Sequence, residues 1–301
     1  MSMMHAASPR GIDHLVLPAR DLAAQAAFYE RLGFRVGSRN RHPWGTENHI
    51  VQLRGSFLEL ISVGEGASIA PHGPRHFSFG AHVQAALDRQ GLAMLVLRSD
   101  DAQADAAEFA AAGIGNFEPF FFEREGRRAD GSTVKVAFTL AFAASPAMPE
   151  AGLFVCQQHF PENFWNPAAQ QHPNTALSIA SVVLVADEPL DHVAFLTTFS
   201  GQNEPRKTTL GVEIDTGAGL IEVLTPAAFR FRYGDDTQRL DGSPRFAGYS
   251  IAVASTAALL GELERHAVPH LQRGNGVLVR AADAFGATLL FDTPERVGGD
   301  A

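Results

Sequence analysis

The feature that most constrains this chain is an internal repeat. GIDHLVLPARD (residues 11–21) and GLAMLVLRSDD (91–101) align without a gap as G-x-x-x-L-V-L-x-x-x-D. SIASVVLVADE (178–188) follows the same course more loosely, and AGYSIAVAS (247–255) opens a fourth such segment. Repetition limits the fold to copies of one supersecondary unit, each too small to bury its own apolar face. The unit reads as a strand running into a helix. After the first copy, Leu22, Ala26, Tyr29 and Leu32 fall at helical spacing, and the helix is expected to stop near Gly33, a residue that accepts the left-handed conformation of a helix end. The Ala-rich helix after the second copy closes in the same manner at Gly113, and Ser255 is an expected N-cap for TAALLGELERHAV.

Three β-type runs follow each helix. They are FRVGSRN, ENHIVQL and SFLELIS in the first unit, and FEPFFFERE, STVKVAFTLAFA and GLFVCQQHF in the second. TTLGVEID and GLIEVLTP belong to the third, PHLQRG, GVLVRAAD and ATLLFDTP to the fourth. The order βαβββ is therefore expected four times. The polar, Pro-rich stretch at 161–175 separates the first two units from the last two, which predicts two similar α+β domains at 11–160 and 176–296.

Composition excludes some partners. The net charge of −9 gives no electrostatic footprint for nucleic acid, and no apolar run is long enough to span a bilayer. One cysteine, Cys156, rules out an internal disulfide, so a cytoplasmic location is the default expectation. The expected partner is a small molecule, with an anionic one among the candidates, and a homodimer is compatible with the sequence.

Strand alternation then sorts the polar residues. On the first strand His14 shares a side with Ile12 and Val16, and on LELIS the carboxylate Glu59 shares a side with Phe57 and Ile61. If Leu15, Leu17, Leu58 and Leu60 cover the helix, His14 and Glu59 face away from it together. A sheet with one face on its helices must curl or pair to bury the other, and two facing units make a cup. In unit two the same alignment puts Met94 in the place of His14, and on GLFVCQQHF it assigns Val155, Gln157 and His159 to the cup face. His14, Glu59 and His159, with Gln157 as the fallback, form a set suited to a borderline divalent metal with open coordination positions. Units three and four place Ser181, Glu222, Tyr249 and approximately Leu290 at the matching positions, so the second domain is expected to be metal-free.

The fourfold βαβββ order, His14 in GIDHLVLPARD and Glu59 in SFLELIS resemble the vicinal oxygen chelate (VOC) superfamily, which includes glyoxalase I and extradiol dioxygenases. HPWGTENHIVQLRGSFLELI (42–61) is similar to the glyoxalase-like domain group with its H-P-x-x-G-T-x-N signature, and FEREGRRADG (122–131) to that group's Arg-rich segment. The resemblance covers residues 11–175 by motif and 176–296 by repeat topology alone. It implies a fold of four βαβββ modules in two paired-module VOC domains. It also implies one divalent ion (Zn, Mn, Ni or Fe) on His14, Glu59 and His159, chelated by neighbouring oxygens of the substrate. Met94 departs from the pattern, since a thioether is a poor ligand for such a cation, and this moves the site away from glyoxalase I toward a 2-His-1-carboxylate arrangement.

Thr46, Asn48, Arg124 and Arg128 are the substrate-binding candidates, Arg being suited to bidentate capture of a carboxylate or phosphate. His49 is the leading base, and a ligating carboxylate that detaches during turnover is the other. Each has a plain structural alternative. For His14 it is a buried imidazole on a carbonyl, for His159 a capping or surface role, and for the Arg run a solvated loop. Glu222 needs nothing beyond an Arg partner. Glu59 resists such a reading, because a carboxylate buried in mid-strand without a partner costs several kcal/mol. The expected activity is isomerase or lyase chemistry. An Fe(II) extradiol dioxygenase and a non-catalytic binding or resistance protein of the same fold are the alternatives.

Overall fold

The computed structural model of the chain describes residues 9–127, 131–238, 240 and 242–293. The first unit runs β1 (Ile12–Pro18), α1 (Leu22–Arg31), β2 (Asn40–Arg41), β3 (Thr46–Gln52) and β4 (Phe57–Val63). A linking helix α2 (Phe79–Ala86) leads to β5 (Met94–Arg98), α3 (Ala102–Ala111), β6 (Phe120–Arg127), β7 (Thr133–Ala143) and β8 (Gly152–Gln158). After the short α4 (Pro161–Phe164), the third unit contains β9 (Ala176–Val185), α5 (Val193–Ser200), β10 (Arg206–Lys207), β11 (Gly211–Asp215) and β12 (Leu220–Leu224). A second linking helix α6 (Pro226–Tyr233) leads to β13 (Arg245–Val253), α7 (Thr256–Arg265), β14 (Leu271–Arg273), β15 (Gly276–Val279) and β16 (Thr288–Asp292). The βαβββ order thus occurs four times. The first β-run after the helix in units one and three shrinks to two residues.

The strands form two eight-stranded sheets, β2-β3-β4-β1-β5-β8-β7-β6 and β10-β11-β12-β9-β13-β16-β15-β14. Within each unit the first and last strands are parallel, and the two units of a sheet meet through their antiparallel first strands. In the two ungapped copies the Asp that closes the sequence repeat starts the helix. Asp21 accepts a hydrogen bond from the Ala24 N–H at 2.9 Å, and Asp101 accepts from Gln103 and Ala104 at 3.0 Å. Gly33 and Gly113 end those helices at φ +84° and +72°, and Ser255 caps α7.

Alternation divides each sheet into two faces. The helix-side residues of both sheets, among them Leu15, Leu58, Leu97, Val182, Ile221 and Ile251, belong to one continuous core. Tyr29 and Tyr249 join the halves through a buried hydroxyl pair at 2.5 Å. The opposite faces form separate clusters, one around Val16, Ile61, Met94 and Phe154, the other around Val183, Phe229 and Leu278. No helix among the described residues is long and apolar enough to cross a membrane.

Candidate functional site

The hollow of the first sheet contains a chamber of about 50 Å³ lined by His14, His42, Asn48, Glu59, Arg124 and Cys156 among aromatic rings from Trp44, Phe57, Phe79, Phe122, Phe138, Phe154 and Phe164. Val16 pairs with Glu59 across the parallel β1–β4 ladder, so β1 and β4 bring His14 and Glu59 to the same face. His14 Nε2 stands 3.9 Å from Glu59 Oε2. Its ring lies flat on Phe57, with centroids 4.1 Å apart.

The turn of the HPWGT segment adds a second imidazole. Gly45 donates its N–H to the His42 carbonyl at 3.1 Å and takes φ +96°, a conformation suited to glycine. The reversal sets Thr46 opposite His42: its carbonyl accepts the His42 N–H at 2.8 Å, and its hydroxyl shares a hydrogen bond with Nδ1 at 2.8 Å. The ring stacks on Trp44 and presents Nε2 to Glu59 Oε1 at 3.8 Å. Asn48 lies between them, donating to Glu59 Oε1 at 2.5 Å and standing 3.4 Å from His42 Nε2.

Burial governs the charges. Desolvation pushes the Glu59 carboxyl above its usual range, against the opposing pull of His14, Asn48 and Arg124. His42 falls to about 3, again through burial and then through Arg124, so its ring is neutral. Burial, with Asp13 and Glu59 nearby, raises the Cys156 thiol well above the usual range, which favours its neutral form. Arg124 is largely withdrawn from water, which lowers its pKa. It lines both the chamber and an adjoining polar cleft of about 470 Å³ that also contains Asn40, Gln52 and Thr133. No carboxylate among the described residues forms a salt bridge with it.

Of the residues singled out from sequence, His14, Asn48, Glu59 and Arg124 meet in this chamber. Thr46 supports it from behind. His49 does not reach it: on β3 its neighbours Asn48 and Ile50 take the chamber side, and its own Nδ1 bonds the Gly37 carbonyl at 2.7 Å. His159 is likewise elsewhere, exposed, bonded through Nε2 to the Thr139 hydroxyl at 2.7 Å and set against Phe121. The reason is the phase of β8. Phe154 and Cys156 face the chamber, Val155 joins the helix-side core, and Gln157 bonds the Asp100 carbonyl and the Ala102 N–H near the start of α3. Arg128 lies outside the described residues. Sequence reasoning missed His42, whose signal was the first letter of the H-P-x-x-G-T-x-N signature with a Thr four residues on.

The ladders also locate the second unit's equivalents. Val96 pairs with Phe154 as Val16 pairs with Glu59, and Met94 pairs with Val16 as His14 pairs with Val96. Both equivalent positions, Met94 and Phe154, are apolar. In the second sheet Ser181, Glu222 and Leu290 occupy corresponding places, but the partner of Val183 on β13 is Gly248, not Tyr249, which points to the shared core instead.

A divalent ion can be tested against this donor set. Among the described residues no three His, Cys, Asp or Glu side chains close on one point. His14 Nε2 and Glu59 Oε2 do fit as a pair. The carboxylate is buried, its Oε2 faces an imidazole nitrogen across a gap too long for a hydrogen bond, and the His14 Nδ1 is already engaged at 2.6 Å by Asp13. Two protein donors leave several coordination positions open.

Residues 12–199 match the family described as "Glyoxalase-like domain". The chain belongs to this family. No curated protein sequence matches it. Solved structures similar to it include a hypothetical protein from Staphylococcus aureus, at 12% identity and TM-score 0.64 over 95% of this chain and 100% of that one. A variant of 4-hydroxymandelate synthase from Streptomyces coelicolor is 12% identical at TM-score 0.57, over 98% and 95% of the two chains. The Mn(II)-bound glyoxalase from Novosphingobium aromaticivorans is 12% identical at TM-score 0.53, over 94% and 82%. At these identities the likeness shows the shared VOC fold of the glyoxalase-like family member described here.

Proposed function

We propose that this glyoxalase-like protein is a metalloenzyme, of isomerase or lyase type, acting on a small anionic molecule with neighbouring oxygens. The observation that carries the reading is Glu59, a buried carboxylate flanked by two imidazole Nε2 atoms at 3.8 and 3.9 Å with no cation of its own in salt-bridge contact among the described residues except through those rings. A divalent ion on His14 and Glu59 would supply Lewis-acid polarisation of the substrate oxygens. The remaining work falls to the chain. Asn48 holds one Glu59 oxygen and leaves the other toward His14. Neutral His42 and the aromatic walls give the chamber a weakly polar lining, which strengthens electrostatic contacts within it. Arg124, at the junction with the outer cleft, binds a carboxylate or phosphate and directs the compact end of the substrate inward. Burial favours the neutral form of Glu59, which suits it to accept a substrate proton.

The apolar residues at the second unit's ligand positions, Met94 and Phe154, favour a second reading, a metal-free binding protein. Metal analysis after purification without chelators separates the two, repeated on His14→Ala and Glu59→Ala. One equivalent in the parent chain and loss from both variants is expected. A full equivalent retained in both would remove the site, and none in the parent would leave the binding protein. Zinc, manganese or nickel supports isomerase or lyase chemistry, whereas iron with oxygen uptake on a catechol supports ring cleavage.

A further inference from the structure

This inference rests on the chamber reading and concerns what fixes its histidine. We propose that Asp13 is a positioning residue that holds the His14 ring with hydrogen on Nδ1 and the Nε2 electron pair directed at the space beside Glu59. Asp13 Oδ1 lies 2.6 Å from His14 Nδ1, and its Oδ2 accepts the Gln158 amide at 2.9 Å. The Asp13 side chain is 3% exposed. With Gln158 donating to Oδ2, the short contact at Oδ1 is satisfied by a ring hydrogen on Nδ1.

Local backbone makes the contact. Strict alternation would turn adjacent residues to opposite faces of β1. The β1–β5 register slips between Ile12 and His14, and this irregularity lets the two side chains meet. Phe57 then fixes the plane of the ring from one side, and Asp13 fixes its rotation within that plane.

The four units provide an internal control. Where the first has Asp13 before His14, the second has Ala93 before Met94, the third Ala180 before Ser181 and the fourth Ala247 before Gly248. The strand is therefore built with alanine at this place three times, and the carboxylate accompanies the histidine. A buried carboxylate costs several kcal/mol when its partners are removed, so the scaffold alone gives no reason to introduce one here. A carboxylate behind a ligating imidazole fixes its tautomer and raises the basicity of the other nitrogen. Losing such a partner typically weakens metal affinity about 10–100-fold.

The test uses the full chain and the variants Asp13→Ala and Asp13→Asn, with two independent readouts. Nitrogen NMR of the metal-free protein at alkaline pH reports the tautomer of the neutral His14 ring, and calorimetry reports Mn²⁺ affinity. Hydrogen on Nδ1 is expected in the parent chain and its loss in Asp13→Ala, with Mn²⁺ affinity lower by about 10–100-fold. Asp13→Asn, which keeps the volume and can still accept from Nδ1 but lacks the charge, should fall between, and it carries the test if Asp13→Ala does not fold. An unchanged tautomer together with Mn²⁺ affinity within about twofold of the parent would overturn the proposal. A parent chain that binds no Mn²⁺ sinks the metal reading instead, and the Asp13 role then stands or falls on the tautomer.

Discussion

Glu59 and Glu222 occupy the same position in two copies of one sheet, opposite Val16 and Val183 respectively, and burial raises the pKa of both carboxyls. Their surroundings differ. In the C-terminal half the linking helix α6 carries Arg232 onto Glu222 and sets the Tyr233 hydroxyl 3.4 Å from its other oxygen. Ser181, in the place of His14, bonds Ser250 across the strands at 2.7 Å. In the N-terminal half the corresponding helix α2 contributes Phe79 to the chamber wall, and the groups nearest Glu59 are an amide and two imidazoles. One copy has its counter-charge built in. The other sets its carboxylate against an amide and two imidazoles, with no Arg or Lys in salt-bridge contact among the described residues.

The comparison can be broken in four ways, beginning with the largest expected effect. Acid should act on the N-terminal chamber. His42 titrates near 3 in the folded chain against an ordinary 6.5, so the stability it contributes is complete above 6.5 and is lost as pH falls toward 3. The loss is on the order of 3–5 kcal/mol, and denaturant titrations between those pH values should show a slope that His42→Gln flattens. Next, Arg232→Met leaves Glu222 buried without its cation. A destabilisation of about 2–4 kcal/mol is expected, below that of a fully buried pair because water reaches the guanidinium, and Glu222→Gln in the same chain should restore most of it.

The third effect differs in size between the halves. In metal-free protein Glu59→Gln should stabilise by about 1 kcal/mol at neutral pH, because a carboxyl raised by burial opposes folding once ionised. Glu222→Gln also removes a raised carboxyl but strips Arg232 of its partner, so its gain should be smaller. Thermal melts of the two variants with chelator present check this, and equal gains would erase the distinction. Smallest is a gain of function: Ser181→His alone should bind no Mn²⁺, and only Ser181→His with Arg232→Ala should give a weak calorimetric signal.

The pairing of His14 with Glu59 could be read from sequence because polar residues gave β1 and β4 an absolute phase. β8 offered no such marker. In GLFVC every residue suits either face, so the choice between Val155 and Phe154 is made by pairing with β5, and His159 followed the wrong phase. Tyr249 shifted by one residue for a related reason, since the β9–β13 ladder carries several irregularities. The linking helices were outside the repeat and escaped notice, although Thr225 before Pro226 and Gly234 after Tyr233 mark α6 at both ends. Asp13 was invisible for a different reason: it meets His14 through a backbone irregularity that alternation does not foresee.

The continuous core between the sheets carries a further consequence. Because the helix-side face of each half is covered by the other, with Tyr29 sealed against Tyr249, neither can be shed without baring a broad oily surface. The C-terminal half thus serves as a lid on the back of its sibling, and each copy is free to vary in the chemistry of its hollow only so long as both remain faithful in shape.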